Sequence, residues 1–270
     1  IIETKILQEK KLFIFDMDGT IYLGNHVFDY AVTFIQNLRA VGKQILFFTN
    51  NTSHPTSYYY QHLTACGFAP QEGEIFSAGD VMISYFKKLN ALKNVYLLGT
   101  PALQKQFLEA GIPILSDEDA NAKDAEAVIA SFDTSMTYQK VWNACRMIDR
   151  GARFYATHPD RCCPTDIGPM PDCGALTAYI TAATGATPLY TGKPSEIAVQ
   201  MIEQVTGISR SDMCVFGDRL YTDIALGRQN GFMSVLVLTG VTTAEAAEHA
   251  PADERPDIIA PSLSEINQSM

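Results

Sequence analysis

Residues 11–24 read KLFIFDMDGTIYLG, and the first half of that stretch decides the fold. Leu12–Phe15 is a short, unbroken apolar run. A run of this length without polar alternation fits a strand buried on both faces of a parallel sheet. It runs straight into two carboxylates, Asp16 and Asp18, with Gly19 behind them to permit a turn. A strand that leaves the core on two acids needs something to make their closeness tolerable.

The same pattern recurs along the chain. Apolar runs at 12–15, 44–48, 95–98, 127–130, 153–156, 213–216 and 234–238 alternate with helix-length amphipathic segments at 29–41, 57–66, 101–110, 138–150 and 196–206. This alternation predicts βαβ units, a parallel sheet and the α/β class. Two further strands end as the first does. The run at 44–48 leads into Thr49-Asn50-Asn51-Thr52-Ser53, and the run at 213–216 into Gly217-Asp218-Arg219, with Asp223 following. Ligands of open parallel sheets bind outside the carboxyl ends of the strands, so the three clusters are expected to share one crevice. The strands between 95 and 156 carry no comparable polar ends and read as a separate inserted unit.

Composition bounds what such a crevice serves. Of 270 residues, 47% are hydrophobic and 19% charged, which describes a globular chain. The net charge of -10 argues against non-specific binding to nucleic-acid polymers or anionic membranes. No apolar run reaches the roughly 18 residues of a membrane-spanning helix. The charged start IIETKILQEK reads as cytoplasmic, and the six cysteines as free thiols. His158 with Cys162, Cys163 and Cys173 fits no standard structural zinc spacing.

Asp16, Asp18 and Asp218 at one sheet edge would repel one another if all were ionised. A hard divalent cation, Mg²⁺, resolves this with oxygen ligands and usually pairs with phosphate; Asp223 stands ready behind it. Thr49, Asn50 and Asn51 offer neutral donors for a phosphate, and also suit the cap of the helix that follows. Lys193, in Thr191-Gly192-Lys193-Pro194-Ser195 ahead of a helix, offers a point charge. Such a site suits attack on phosphorus by Asp16, with Asp18 as acid and then base.

Four segments together, D-x-D-G-T, T-N-N, G-K-P and G-D-x-x-x-x-D, resemble the four motifs of the haloacid dehalogenase superfamily. FDMDGTIYLG, FFTNNTS, ATHPD, YTGKPS and VFGDRLYTDI resemble its NagD-like, p-nitrophenylphosphatase branch. The resemblance implies a Rossmann-like α/β/α core at residues 1–89 and 187–270, with an α/β cap of the C2 type inserted at 90–186. It implies a Mg²⁺-dependent phosphatase of a small phosphorylated metabolite, with the ion on Asp16, the Asp18 backbone carbonyl and Asp218. It also implies that the turn-rich segment 158–174 selects the leaving group. Relatives that favour pyridoxal phosphate carry a histidine near the place of Cys163. Dimerisation through the cap occurs in relatives, so a homodimer is an expectation from the resemblance alone. Two alternatives stand beside this reading: phosphoryl transfer to an acceptor other than water, and a non-catalytic phosphometabolite-binding module. A binding module has no use for a nucleophile, which weighs against it.

Overall fold

A computed structural model describes residues 5–89, 93–121, 123–165 and 167–269. Asp166, within the turn-rich segment, lies outside the described residues. The chain divides into two compact units. The first comprises Ile1–Thr49, Tyr59–Phe76 and Lys193–Met270, the second Asn50–Tyr58 and Ser77–Gly192.

The first unit is built on a six-stranded sheet. Its order is Ile258–Ala260, Met233–Val237, Met213–Gly217, Leu12–Phe15, Gln44–Thr49, Ile75–Ser77. The first five strands run parallel. Every residue of Leu12–Phe15 is buried, as the unbroken apolar run requires. Phe15 stacks on Phe216 at 4.9 Å between ring centroids and meets Phe34 edge-on at 6.0 Å. Phe34 belongs to helix Asp29–Ala40, which buries Ala31, Phe34, Ile35 and Leu38 on one face. Phe34, Ile35 and Leu38 each contribute about 1.5–3 kcal/mol on burial.

The order of this sheet places the site. From Leu12–Phe15 the chain moves to Gln44–Thr49 on one side; the late strand Met213–Gly217 takes the other. Phe15 lies level with Phe216 and Phe47. The connections therefore diverge beside the end of Leu12–Phe15, the place where an open α/β sheet leaves a crevice.

The second unit carries its own parallel sheet, in the order Leu189–Tyr190, Arg153–Ala156, Ala127–Ala130, Val95–Leu98. Alternate residues serve opposite faces. Tyr96, Leu98, Val128 and Ala130 pack with Val141, Met147, Leu176 and Ile180 from helices Tyr138–Asp149 and Cys173–Thr184. Val95, Leu97, Ala127 and Ile129 pack with Met82, Phe86, Leu103 and Phe107 from helices Ala78–Leu89 and Pro101–Glu109. Each unit is thus an α/β assembly in its own right.

This division departs from the boundary at residues 90 and 186 expected from sequence. Helix Ala78–Leu89 gives Met82, Ile83 and Phe86 to the second sheet's core, so that unit begins at Ser77. Its last strand, Leu189–Tyr190, carries it to Gly192. Residues 50–58 also join it. The Thr52 hydroxyl accepts from the Phe132 N–H at 3.1 Å, and the Thr56 hydroxyl donates to Asp80 at 2.7 Å. Among the described residues no helix is long and apolar enough to cross a membrane.

Candidate active site

The parallel sheet of the first unit delivers its carboxylates from two adjacent strand ends. The Asp16 N–H still donates to Phe216 O at 2.9 Å, so its backbone belongs to the ladder while its side chain passes beyond it. Asp218 follows Met213–Gly217 directly, and Asp223 sits in the single π-helical turn Leu220–Ile224. Gly217 permits that turn to close on the strand, since a Cβ there would lie 2.1 Å from Asp223 Cβ. One carboxylate oxygen from each of Asp16, Asp218 and Asp223 falls within 4.8 Å of the others.

Lys193 is the counter-charge. It is 1% exposed, and its Nζ donates to Asp16 Oδ1 at 2.6 Å, Asp223 Oδ1 at 2.7 Å and Phe48 O at 2.8 Å. Burial alone would lower its pKa, but Asp16 and Asp223 outweigh that and move it upward, so it stays charged. The acids move the other way. Burial, then repulsion from Asp223, raises Asp16 well above the usual carboxylate range, against the pull of Lys193. Burial, then Asp223, raises Asp218 to about 7. Asp18 is raised too, chiefly by burial. One lysine cannot balance three carboxylates.

Asp218 shows where the imbalance is felt. It is 0% exposed; Oδ2 accepts the Val241 N–H at 2.6 Å, while Oδ1 is buried with no hydrogen-bond partner. An unpartnered buried carboxylate oxygen is costly. Two glycines let the backbone close on this side chain: a Cβ at Gly19, whose φ is +89°, would come within 2.6 Å of Oδ2, and one at Gly240 within 2.0 Å. The Thr239 hydroxyl donates to Gly19 O at 2.6 Å and fastens the two loops together. An orphaned oxygen within an all-oxygen donor set, with excess negative charge, fits a hard divalent cation such as Mg²⁺.

The sequence-expected residues are placed as follows in the fold. Asp16, Asp218, Asp223 and Lys193 are brought together. The Asp18 carboxylate is not among the clustered oxygens; it accepts a long bond from Gly24 N–H at 3.4 Å. Thr49 closes its strand and is 7% exposed. Asn50 and Asn51 belong to the second unit, where Asn50 Nδ2 donates to Asp160 Oδ2 at 2.8 Å. Asn51 Oδ1 accepts from Ser53 N–H at 2.9 Å and from Ser53 Oγ at 2.6 Å, a local turn that occupies its carbonyl. The Gly240-Val241 clamp on Asp218 was not anticipated; the signal was a fourth polar strand end, Thr239-Gly240 after the run at 234–238.

Known proteins repeat this plan. Residues 13–113 match the family described as haloacid dehalogenase-like hydrolases, and residues 190–266 the HAD-hydrolase-like family. The 5'-nucleotidase YutF of Bacillus subtilis is 31% identical over 94% of this chain and 96% of its own. The chain belongs to the haloacid dehalogenase-like hydrolases. Within them it is of the NagD-like, p-nitrophenylphosphatase type and is a phosphoric monoester hydrolase by class. The crystal structure of a 4-nitrophenylphosphatase from Thermotoga maritima superimposes with a TM-score of 0.90 at 36% identity, covering 97% of this chain and 98% of that one. That of a glycerol phosphate phosphatase from Mycobacterium tuberculosis, in complex with magnesium, gives 0.88 at 27% identity, over 97% of this chain and 78% of the other.

Proposed function

We propose that this hydrolase is a Mg²⁺-dependent phosphatase of a small soluble phosphomonoester, working through a phospho-aspartyl intermediate. The observation that carries the reading is the buried cluster of Asp16, Asp218 and Asp223 around Lys193, with Asp218 Oδ1 unpartnered. Asp16, Asp218 and Asp223 would hold the ion, with the Asp18 backbone carbonyl as a further ligand implied by the resemblance. When bound, the ion supplies the positive charge that three carboxylates and a phosphate together lack.

The chain's own groups divide the work. Asp16 is the nucleophile: fixed by its backbone bond to Phe216 O, it forms an O–P bond as the ester oxygen departs. Asp18 gives that oxygen a proton. Burial, which raises its pKa, favours the protonated form that this step needs. Asp18 then takes a proton from the water that attacks the phospho-aspartate, and phosphate is released. Lys193 stays protonated and balances charge on the phosphoryl oxygens. Thr49 and Asn50 orient the phosphoryl group, with Asn51 contributing through the shape of its turn. Sugar phosphates, nucleotides and phosphoglycolate are the substrate classes in view.

The test is phosphate release from a panel of phosphomonoesters, with Mg²⁺ and with chelator, for wild type and Asp16→Asn. Release that needs Mg²⁺ and is lost in Asp16→Asn is expected. Metal-independent release, or full activity in the variant, would remove the proposed mechanism.

A further inference from the structure

Asp160 is a buried acid that the proposed mechanism does not use. It is 3% exposed, within the second unit, in the turn that follows strand Arg153–Ala156. Burying a carboxylate is expensive unless strong donors compensate it. Here the donor is Asn50: its Nδ2 lies 2.8 Å from Asp160 Oδ2, and Asn50 is itself only 7% exposed. We infer that Asp160 is a positioning residue that sets the orientation of Asn50; this rests on the proposed role of Asn50 in holding the phosphoryl group.

Three observations support the assignment. An asparagine amide can flip, since oxygen and nitrogen are nearly the same shape, and a neutral neighbour accepts either face. A carboxylate accepts only, so Asp160 fixes the NH₂ on its own side. The opposite side is closed as well: Asn50 Oδ1 lies 2.8 Å from where a Cβ on Gly192 would stand, and the Gly192 N–H donates to Thr157 O at 2.7 Å. A Cβ at 192 would crowd the amide together with Thr157 O and Ala78 Cβ, so one of them would have to shift. Finally, Asp160 is itself anchored. Its carbonyl accepts the Gly174 N–H at 2.7 Å in the first turn of helix Cys173–Thr184, whose N-cap Asp172 also accepts from His158 Nε2 at 2.9 Å. A chain of hydrogen bonds therefore runs from that helix through Asp160 to the residue that follows Thr49.

The experiment is a double-mutant cycle on the full-length protein with Mg²⁺ and p-nitrophenyl phosphate. The variants are Asn50→Ala, Asp160→Ala, Asp160→Asn and the corresponding doubles, read as kcat, KM and melting temperature. Asp160→Ala should lower kcat/KM by about tenfold or more, since small misplacements of a substrate-holding group are costly. Asp160→Asn, which keeps an acceptor oxygen and carries the cycle if the alanine variant does not fold, should lose less. In the Asn50→Ala background neither change should move kcat/KM by more than about twofold. A purely structural Asp160 would lower melting temperature in both backgrounds and reduce kcat/KM by the same factor in each, which would overturn the inference and leave the phosphatase reading intact. Full activity in Asn50→Ala would remove Asn50 from phosphoryl binding and the inference with it. No phosphate release by wild type would overturn the proposed function itself.

Discussion

Asp218→Asn in metal-free protein should raise stability at high pH and not at low pH. The Asp218 carboxyl titrates at 3.8 in an unfolded chain and at about 7 in the folded one. The folded state therefore binds the proton more tightly, and stability falls as pH rises between those values. At about 1.4 kcal/mol per pH unit, the loss is about 4 kcal/mol once pH has passed both. Asparagine removes that charge and can still accept the Val241 N–H. Its NH₂ then sits where Oδ1 has no partner, at a cost of about 1–3 kcal/mol. The balance at pH 8 is a gain of about 1–3 kcal/mol, or roughly 2–10 °C in melting temperature for a protein of this size. Near pH 4.5 wild-type Asp218 is protonated when folded, so the variant should be no more stable, or slightly less. Differential scanning calorimetry in chelator at the two pH values reads the effect. Adding Mg²⁺ at pH 8 should raise the wild type more than the variant. An equal shift at both pH values, or a loss at pH 8, would refute the view that Asp218 is held against its own charge.

Lys193→Met should cut kcat/KM at saturating Mg²⁺ by about 10²–10³-fold, since it removes a buried cation that contacts Asp16 and Asp223; steady-state kinetics with p-nitrophenyl phosphate checks this. Gly240→Ala puts a methyl 2.0 Å from Asp218 Oδ2 and should cost about 1–3 kcal/mol. It should also weaken Mg²⁺ binding, as measured by the metal-induced rise in melting temperature. Gly174→Ala meets Pro159 O at 2.2 Å and should destabilise the second unit by a similar amount, about 1–3 kcal/mol, with hydrogen exchange rising in residues 153–184 rather than in residues 12–49.

What the sequence disclosed follows its strongest signals. Buried parallel strands have continuous apolar runs, so Leu12–Phe15, Val95–Leu98 and Ala127–Ala130 were found within their bounds. Acids at the ends of two adjacent strands converge once the sheet is parallel, which makes the meeting of Asp16 and Asp218 legible in the sequence. Short edge strands such as Ile75–Ser77 and Ile258–Ala260 escaped because two or three residues show no period. The sequence boundary left residues 78–89 with the core, whereas helix Ala78–Leu89 packs on the second sheet: an apolar face tells that a helix packs, not on which sheet. The turning of Asn51 toward Ser53, and the closure of Gly240 on Asp218, depend on contacts that no local pattern records.

One closeness within the second unit has a wider consequence. The segment that begins at Ser77 ends at Gly192, and a Cβ on Gly192 would lie 2.8 Å from the Cβ of Ala78. Entry and exit therefore stand side by side. A segment whose ends meet can be lengthened, shortened or exchanged without stretching the chain that carries it. In evolutionary terms, 116 residues from Ser77 to Gly192 form a cassette. Its replacement would leave Asp16, Asp218, Asp223 and Lys193 encoded elsewhere in the chain. Such a swap must respect the partners that hold residues 50–58, among them Asp160, Phe132, Asp80 and Thr100.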